Sequence, residues 1–544
     1  MRRTLTLALV PLAVGALAVS SVLLPAQGAA TTSTASQAPS VQPDPDHIKT
    51  LTAVLDTMKA NYPQFARQTP GPQDIFDYNI GDLWLKGIDG TGTTVALIEG
   101  WDDPNINTVI HNFDARYGLP DPDIETMFPN GPLPAECPAG MVALQSYGSC
   151  DAWMGELRLD VEAAHLVAPY AKIIITATPA DSELTDDTPF QVAMPELMKA
   201  VEFIASNHLA DSMSISDGTG ESTYTNVAQI HSNDPGPLTA AAKGVPVMVA
   251  TGDCGVVQNL AVANAQCGTT TTTPDTAAWD DSPWVTALGG SVPNVSKTDG
   301  SKLGPDPVWH AGIFSEGAGF SSVYARPDFQ NRVKNITGSD MRSVPDITMD
   351  AQDGTSESAP EFAGILALAA QLNHGSVGDI NDVLYDVLGP RGTHAGLSDV
   401  VTGDDSAPTV PGFTATNGYD VATGWGTLDA STFVPALVDA VRGQHGNTPA
   451  RQAGDALAKL QHGATLTTND VKAGTQTYLL AGGFIPLHPV TFSIDGTQVG
   501  TLTANNLGSV TQNIDPAALS LAPGHHTITL HSLLLDETVS FQSH

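Results

Sequence analysis

Basic residues are scarce in this chain. Its 544 residues carry 22 Lys and Arg against 58 Asp and Glu, a formal net charge of −36 at pH 7. A nucleic-acid binder needs a basic surface to displace counterions, and an anionic membrane attracts only polybasic segments, so neither partner is expected. Charge of either sign is thin at 15%, below the usual quarter. Aromatic residues make up only 6%, yet 41% hydrophobic content with 51 Gly argues against wholesale disorder. No CxxC and no HExxH occur, which removes the usual support for a zinc site. Beyond the first thirty residues no apolar run is long enough to span a membrane. An acidic, weakly charged globular chain remains, and its length predicts two or three domains.

The N-terminus carries an address. Arg2 and Arg3 precede an apolar run from Leu5 to Leu24, interrupted by Pro11, with small residues at Gly28, Ala29 and Ala30. This predicts a cleaved secretory signal over 1–30, hence a secreted, extracellular protein with no membrane partner after cleavage. Four cysteines fit export: Cys137, Cys150, Cys254 and Cys267, with both local gaps equal to 13. Pairing Cys137 with Cys150 and Cys254 with Cys267 is the simplest of three connectivities. Residues 31–69 are Ser/Thr/Pro-rich and then weakly helical from His47 to Phe65, which reads as a linker or short pro-segment.

From residue 70 apolar strands alternate with amphipathic segments. TTVALIE (93–99), AKIIITAT (171–178), DSMSIS (211–216) and VPVMVATG (245–252) read as strands. INTVIHNFDARYG (106–118), 155–167 and PELMKAVEFIASN (195–207) read as helices. The alternation predicts an α/β domain over 70–445, a parallel sheet with helices on both faces. Sites in such sheets gather at the carboxyl ends of strands, where Glu99, Asp217 and Asp253 fall. After a break near 442–450 the periodicity becomes two, and short alternating strands predict a C-terminal antiparallel β-sandwich over 446–544.

Four segments carry candidate chemistry. In AQDGTSESAPEFAG, Gly354 permits a tight turn and Ser356 sits where a helix begins, which suits a nucleophile and equally an N-cap. Glu156 and Asp160 stand i,i+4 on a predicted helix, which is either a solvated acidic face or a carboxylate pair sharing a proton. Asp253 lies in a Gly-Asp-Cys-Gly turn at a strand end, where turn capping is the ordinary role. Asp399 and Asp420, in two Asp-rich loops, would suit calcium if backbone carbonyls completed the shell.

Together and in this order, these segments resemble the sedolisin family of secreted serine-carboxyl peptidases, which have a subtilisin-like fold. The resemblance runs from about Thr69 to Leu437 and rests on named segments. These are GTSxSAPxFAG around Ser356, ExLxLD ending at Asp160, the GDxG turn at Asp253, GAGFSSVYARPDFQ (317–330), RSVPDITMDA (342–351) and GYDVATGWG. It implies Ser356 as nucleophile, Glu156 as general base, Asp160 as the group orienting Glu156, and Asp253 in the oxyanion hole. Glu99 takes a supporting role behind the base pair. For Ca2+ the resemblance implies the side chains of Asp399 and Asp420 and the carbonyls of Val400, Thr416 and Gly418. An ionised base beside a protonated oxyanion donor, both with ordinary carboxyl values near 4, implies activity at roughly pH 3–5. The implied partners are polypeptide substrates, and a monomer is the default.

Three features depart from the family. Members usually carry a long N-terminal prodomain, whereas about forty residues separate signal and catalytic region here. SMSIS usually continues into Trp-Gly, and here Asp217-Gly218 follows. Glu357 follows the nucleophile where small residues are usual. These departures are the support for a different class of function, a catalytically impaired subtilisin-like scaffold acting as a secreted binding or surface protein. A His-based triad finds no support: His165 lies at i+5 from Asp160 and points to another face, as a packed or surface histidine. A secreted esterase would need a GxSxG elbow around Ser356, which is absent. The C-terminal segment resembles bacterial immunoglobulin-like domains.

Overall fold

A computed structural model describes residues 43–544 apart from 67, 135–136, 138–149, 180–193, 225–226, 259–266, 268–272, 444–452, 454–463, 467, 473–474, 476, 483, 485–488, 505–509 and 533–535. The signal expected over 1–30 and most of the expected break at 442–450 lie outside the described residues.

The main sheet has seven strands: β1 (Thr94–Glu99), β2 (Ile124–Met127), β3 (Lys172–Ala177), β4 (Ser212–Ile215), β5 (Val247–Ala250), β6 (Thr286–Ser291) and β7 (Ile347–Asp350). Their order is β7-β6-β5-β4-β1-β3-β2, and every pairing is parallel. The apolar runs are nearly continuous because both faces are covered. Along β1, Val95 and Leu97 enter one core while Ala96 and Ile98 enter the other. The first core lies under α2 (Ile106–Tyr117), α3 (Cys150–Val167), α6 (Thr355–Asn373) and α7 (Ala430–Gly443). The second lies under α4 (Met194–Ser206) and α5 (Pro235–Lys243). α2 stops where Gly118 takes φ +80°, a left-handed cap.

Two expectations shift. α3 begins at Cys150, five residues before the predicted start at 155. The weakly helical stretch before residue 70 forms α1 (Pro45–Ala60), capped by Asp44, whose side chain accepts from Asp46 N. Leu51, Val54 and Met58 of α1 are buried in the first core beside Leu83 and Trp84. α1 is therefore packed structure within the sheet domain rather than a free tether.

Beyond residue 463 lie two further sheets. One joins β8 (Ala464–Leu466), β10 (Thr477–Ala481) and β13 (Val510–Ile514). The other joins β9 (Asp470–Val471), β15 (Asp536–Ser543), β14 (Gly524–His531), β11 (Pro489–Ile494) and β12 (Thr497–Thr503). All pairings are antiparallel except β9 with β15. Leu479 and Ile514 from the first sheet and Val490, Ile528 and Phe541 from the second share one core, the face-to-face packing of a sandwich.

Both disulfides follow the local pairing, Cys137–Cys150 and Cys254–Cys267. No described helix is long and apolar enough to cross a membrane.

Candidate active site

The carboxyl ends of β4 and β5, the segment after β7 and the first turns of α3 open onto one cleft of about 250 Å³. Its lining includes Glu156, Ser216, Asp217, Asp253, Asp353 and Ser356. Ser356 occupies the first turn of α6, just after Gly354, whose φ of +94° sets the turn. A Cβ at Gly354 would stand 2.6 Å from Asp253 Oδ2, so the close approach needs glycine as well.

α3 delivers the acids. It runs against α6 so tightly that a Cβ on Gly364 would meet Val167 Cβ at 2.8 Å. One helical turn apart, Glu156 faces Ser356 and Asp160 lies behind it. Glu156 keeps some exposure through the cleft, whereas Asp160 and Glu99 are 0% and 1% exposed. Of the two readings of the i,i+4 acids, a solvated face or a carboxylate pair, the burial of Asp160 fits the pair. Ser356 Oγ lies 3.5 Å from the Ser216 carbonyl, and the Ser216 hydroxyl donates to Asp160 Oδ2 at 2.9 Å. Asp160 in turn pairs with Glu99, carboxyl to carboxyl.

Burial governs the electrostatics. It pushes Glu156 up to about 8, against the lowering pull of the Ser356 hydroxyl and with added repulsion from Asp253 and Asp217. Burial lifts Glu99 and Asp160 well above the carboxylate range, and their mutual repulsion with Glu156 adds to it. Values near 4, expected from ordinary carboxyls, therefore do not apply here.

Asp253 lines the same cleft as Ser356, just beyond the end of β5. Its Oδ1 accepts from Thr355 N at 2.8 Å and from Thr355 Oγ1 at 3.1 Å. Burial raises its pKa and those Thr355 bonds restrain the rise. Its Oδ2 faces Gly354, where a Cβ would stand 2.6 Å away. The Cys254–Cys267 disulfide adjoins it, with Cys267 Sγ 3.6 Å from the Asp253 carbonyl. Cys150, in the other disulfide, is the first residue of α3.

The departures sort themselves by position. Asp217 lines the cleft. Glu357 does not; it is fully buried, and its Oε2 accepts from Asp353 N at 3.1 Å. Burial, and then repulsion from Asp350 and Glu361, holds it well above the carboxylate range. With Asp74 and Asp350 it forms a cluster of three buried carboxylates whose oxygens lie within 4.8 Å of one another, remote in sequence and not foreseen. His165 is 0% exposed and stands 3.0 Å from Asp114, a packed histidine away from the cleft. Sequence reasoning passed over Ser216 and Thr355, although both lie inside quoted segments, and also Trp153.

The expected calcium residues come together in one loop region. Asp399 Oδ2 accepts from Gly418 N at 2.7 Å. Asp420 Oδ2 accepts from Thr416 N at 2.5 Å, and its Oδ1 accepts from Thr423 N at 2.9 Å. Burial raises Asp420 against the lowering pull of its Thr416 and Thr423 bonds, and repulsion from Asp399 adds to the rise. Val400 is buried beside them. The donor set is all oxygen, which fits a hard cation.

No family model matches the chain. It is 28% identical to kumamolisin of Bacillus sp. (strain MN-32) over 380 residues, covering 65% of this chain and 61% of that protein. It is 27% identical to sedolisin of Pseudomonas sp. (strain 101) over 256 residues, covering 43% of this chain and 42% of that protein. The chain therefore spans less than two thirds of the length of these relatives. Among solved structures, Pseudomonas sedolisin, a serine-carboxyl proteinase complexed with two molecules of pseudo-iodotyrostatin, superposes with a TM-score of 0.53 at 22% identity. That match covers 66% of this chain and 94% of the other and establishes the fold.

Proposed function

We propose that this chain, a sedolisin-family protein by sequence and by fold, is a secreted serine-carboxyl peptidase that hydrolyses peptide bonds in acid through an acyl-enzyme on Ser356. The observation that carries this reading is the placement of acids in one cleft with the nucleophile. Glu156 lines it with Asp160 and Glu99 in line behind. Asp253, a carboxyl held by Thr355, lines it too.

Ser356 Oγ attacks the substrate carbonyl while its proton passes to Glu156. The oxyanion takes a hydrogen bond from protonated Asp253. Glu156 then gives the proton to the leaving amine, and the acyl-enzyme forms. Water attacks the acyl carbonyl as its proton passes to Glu156, the bond from the acyl carbon to Ser356 Oγ breaks, and Glu156 returns the proton to Oγ as the acid product leaves. Asp160 fixes the Glu156 carboxyl and is itself fixed by Ser216 and Glu99.

A base held near 8 and titrating alone would be neutral throughout acid. Glu156 does not titrate alone. Glu99, Asp160 and Glu156 form a chain in which two neutral carboxyls can donate along the line to one carboxylate. The first proton to leave this trio leaves a charge solvated by those donors, and the later ones must leave against it. The working state is a trio with a single charge beside a neutral Asp253. Rising pH destroys it by ionising Asp253 or by taking a second proton from the trio.

A Ca2+ ion would be held by the side chains of Asp399 and Asp420 and the carbonyls of Val400, Thr416 and Gly418. Bound there it would neutralise the two carboxylates and tie their loops. Incubating purified protein with a denatured polypeptide at pH 3–7, beside Ser356→Ala, tests the peptidase reading. Cleavage is expected from the wild type only; absence of cleavage at every pH, or equal cleavage by the variant, would sink it.

A further inference from the structure

Asp217 is a carboxyl the mechanism does not use. It follows β4 directly after Ser216, whose hydroxyl and carbonyl both face the catalytic groups. Its Oδ1 accepts from Gly218 N at 2.7 Å. Its Oδ2 is enclosed and has no hydrogen-bond partner. An enclosed carboxyl oxygen without a donor is costly, and such a group persists where something else supplies the partner. Among the described residues, the lining of the cleft contains four carboxyls, Glu156, Asp217, Asp253 and Asp353, and no Lys, Arg or His. Trp153 adds an aromatic wall against which an alkyl stem or a guanidinium can lie.

We propose that Asp217 is a specificity-determining residue that selects polypeptides placing a Lys or Arg side chain in the cleft, its free oxygen accepting from the ammonium or guanidinium. The inference rests on the peptidase reading, since it names the substrate class of the same cleft. An incoming cation supplies both the missing donor and a countercharge to a crowded acidic wall. Neutral side chains leave Oδ2 unpaired.

The pH dependence carries its own signature. Burial holds Asp217 at about 7, so in acid the free protein keeps it neutral. The groups that share its field are Glu99 from β1, Glu156 from α3, Tyr224, and the cleft carboxyls Asp253 and Asp353. Holding a cation requires Asp217 to release its proton. The preference for Lys or Arg over a neutral residue therefore grows as pH rises through the active range.

The test uses peptide pairs that differ only in Lys or Arg against norleucine, scanned through the positions around the cut. The wild type is expected to show a kcat/KM ratio above tenfold in favour of the basic peptide at one position, increasing with pH. Asp217→Asn should bring that ratio to within about threefold of unity and flatten its pH dependence, while Asp217→Glu should retain part of it. An unchanged ratio in Asp217→Asn, or no basic preference in the wild type, overturns the proposal. Binding separates it from the peptidase reading. Ser356→Ala should bind the basic peptide at least tenfold tighter than the norleucine peptide by fluorescence anisotropy, and Ser356→Ala with Asp217→Asn should not. That difference without any wild-type cleavage would refute the peptidase reading and keep the role of Asp217. Equal binding would refute the role of Asp217 alone.

Discussion

Replacing Asp253 by Asn tests the proposed division of labour more sharply than removing the nucleophile. Asn is nearly isosteric with Asp. Its carbonyl would take over Oδ1 and accept from Thr355 N and Thr355 Oγ1, now at 2.8 and 3.1 Å. Its NH2 would then stand where Oδ2 stands and donate at every pH. In the wild type the donor exists only while Asp253 is protonated. Its folded-state pKa lies above the ordinary value, so the donor is complete well below that pKa and is lost about tenfold per pH unit above it. The Asn variant should escape this loss. Two units above the wild-type alkaline limb it should be about 100-fold the more active of the two. Asp253 carries no charge on the acid side, so its repulsion of Glu156 is absent there in both proteins and the acid limb should stay in place. Asp253→Ala, which has no donor, should lose about 10²- to 10³-fold in kcat, the usual cost of one oxyanion contact. The assay is kcat/KM from pH 3 to 8 on one neutral peptide. An Asn profile that superimposes on the wild type would refute Asp253 as the titrating donor.

Other consequences follow from burial and packing. Asp350 is fully buried and held at about 6 against an ordinary 3.8. Its folded pKa is the higher one, so the folded state keeps a proton that the unfolded chain gives up. Stability should be full below about pH 4 and fall by about 3 kcal/mol towards pH 6 for this group alone. A melting temperature that rises from pH 4 to 7 would contradict this. Leu51→Ala on α1 should cost about 2–5 kcal/mol in urea unfolding, since Leu51 is 0% exposed; a loss under 1 kcal/mol would mean α1 is a dispensable pro-segment. Gly364→Ala places a methyl 2.8 Å from Val167 and should wedge α3 from α6, lowering kcat at least tenfold with intact folding; unchanged kcat would show that this contact does not set the Glu156–Ser356 alignment. Chelation of Ca2+ should lower the melting temperature of the wild type and leave Asp399→Asn unaffected, and equal shifts in both would remove that site.

The sheet and the helix start at Ser356 were legible because their signals are local. β1, β3 and β5 are short runs rich in β-branched residues between turn residues. Gly354 before Ser356 and Pro360 after it mark a helix start, which suits a nucleophile and an N-cap equally, and only the family resemblance chose between them. The disulfides follow the local pairing that was the simplest of the three connectivities open to four cysteines. What stayed hidden depends on tertiary burial. Glu156 and Asp160 have the spacing of an ordinary acidic face, and only packing against α6 makes them a buried pair. Asp74, Asp350 and Glu357 meet across nearly three hundred residues of chain, which no periodicity reports. The raised carboxyl values have the same origin, since desolvation is a property of the fold. α1 was missed as core because its apolar positions are few and its neighbours Leu83 and Trp84 lie in another segment.

α6 is buried along almost its whole length, from Thr355 to Gln371, and touches strands β1, β4, β5, β6 and β7. A helix so enclosed has no route to open by itself, so its central amides should exchange with solvent only when the entire domain unfolds. The nucleophile thus has no private mobility to lose. Heat or denaturant should not produce a folded but inactive species, and the catalytic half-life of the protein should equal the lifetime of its native state. Selection for turnover in a harsh medium would then act directly on the height of the unfolding barrier.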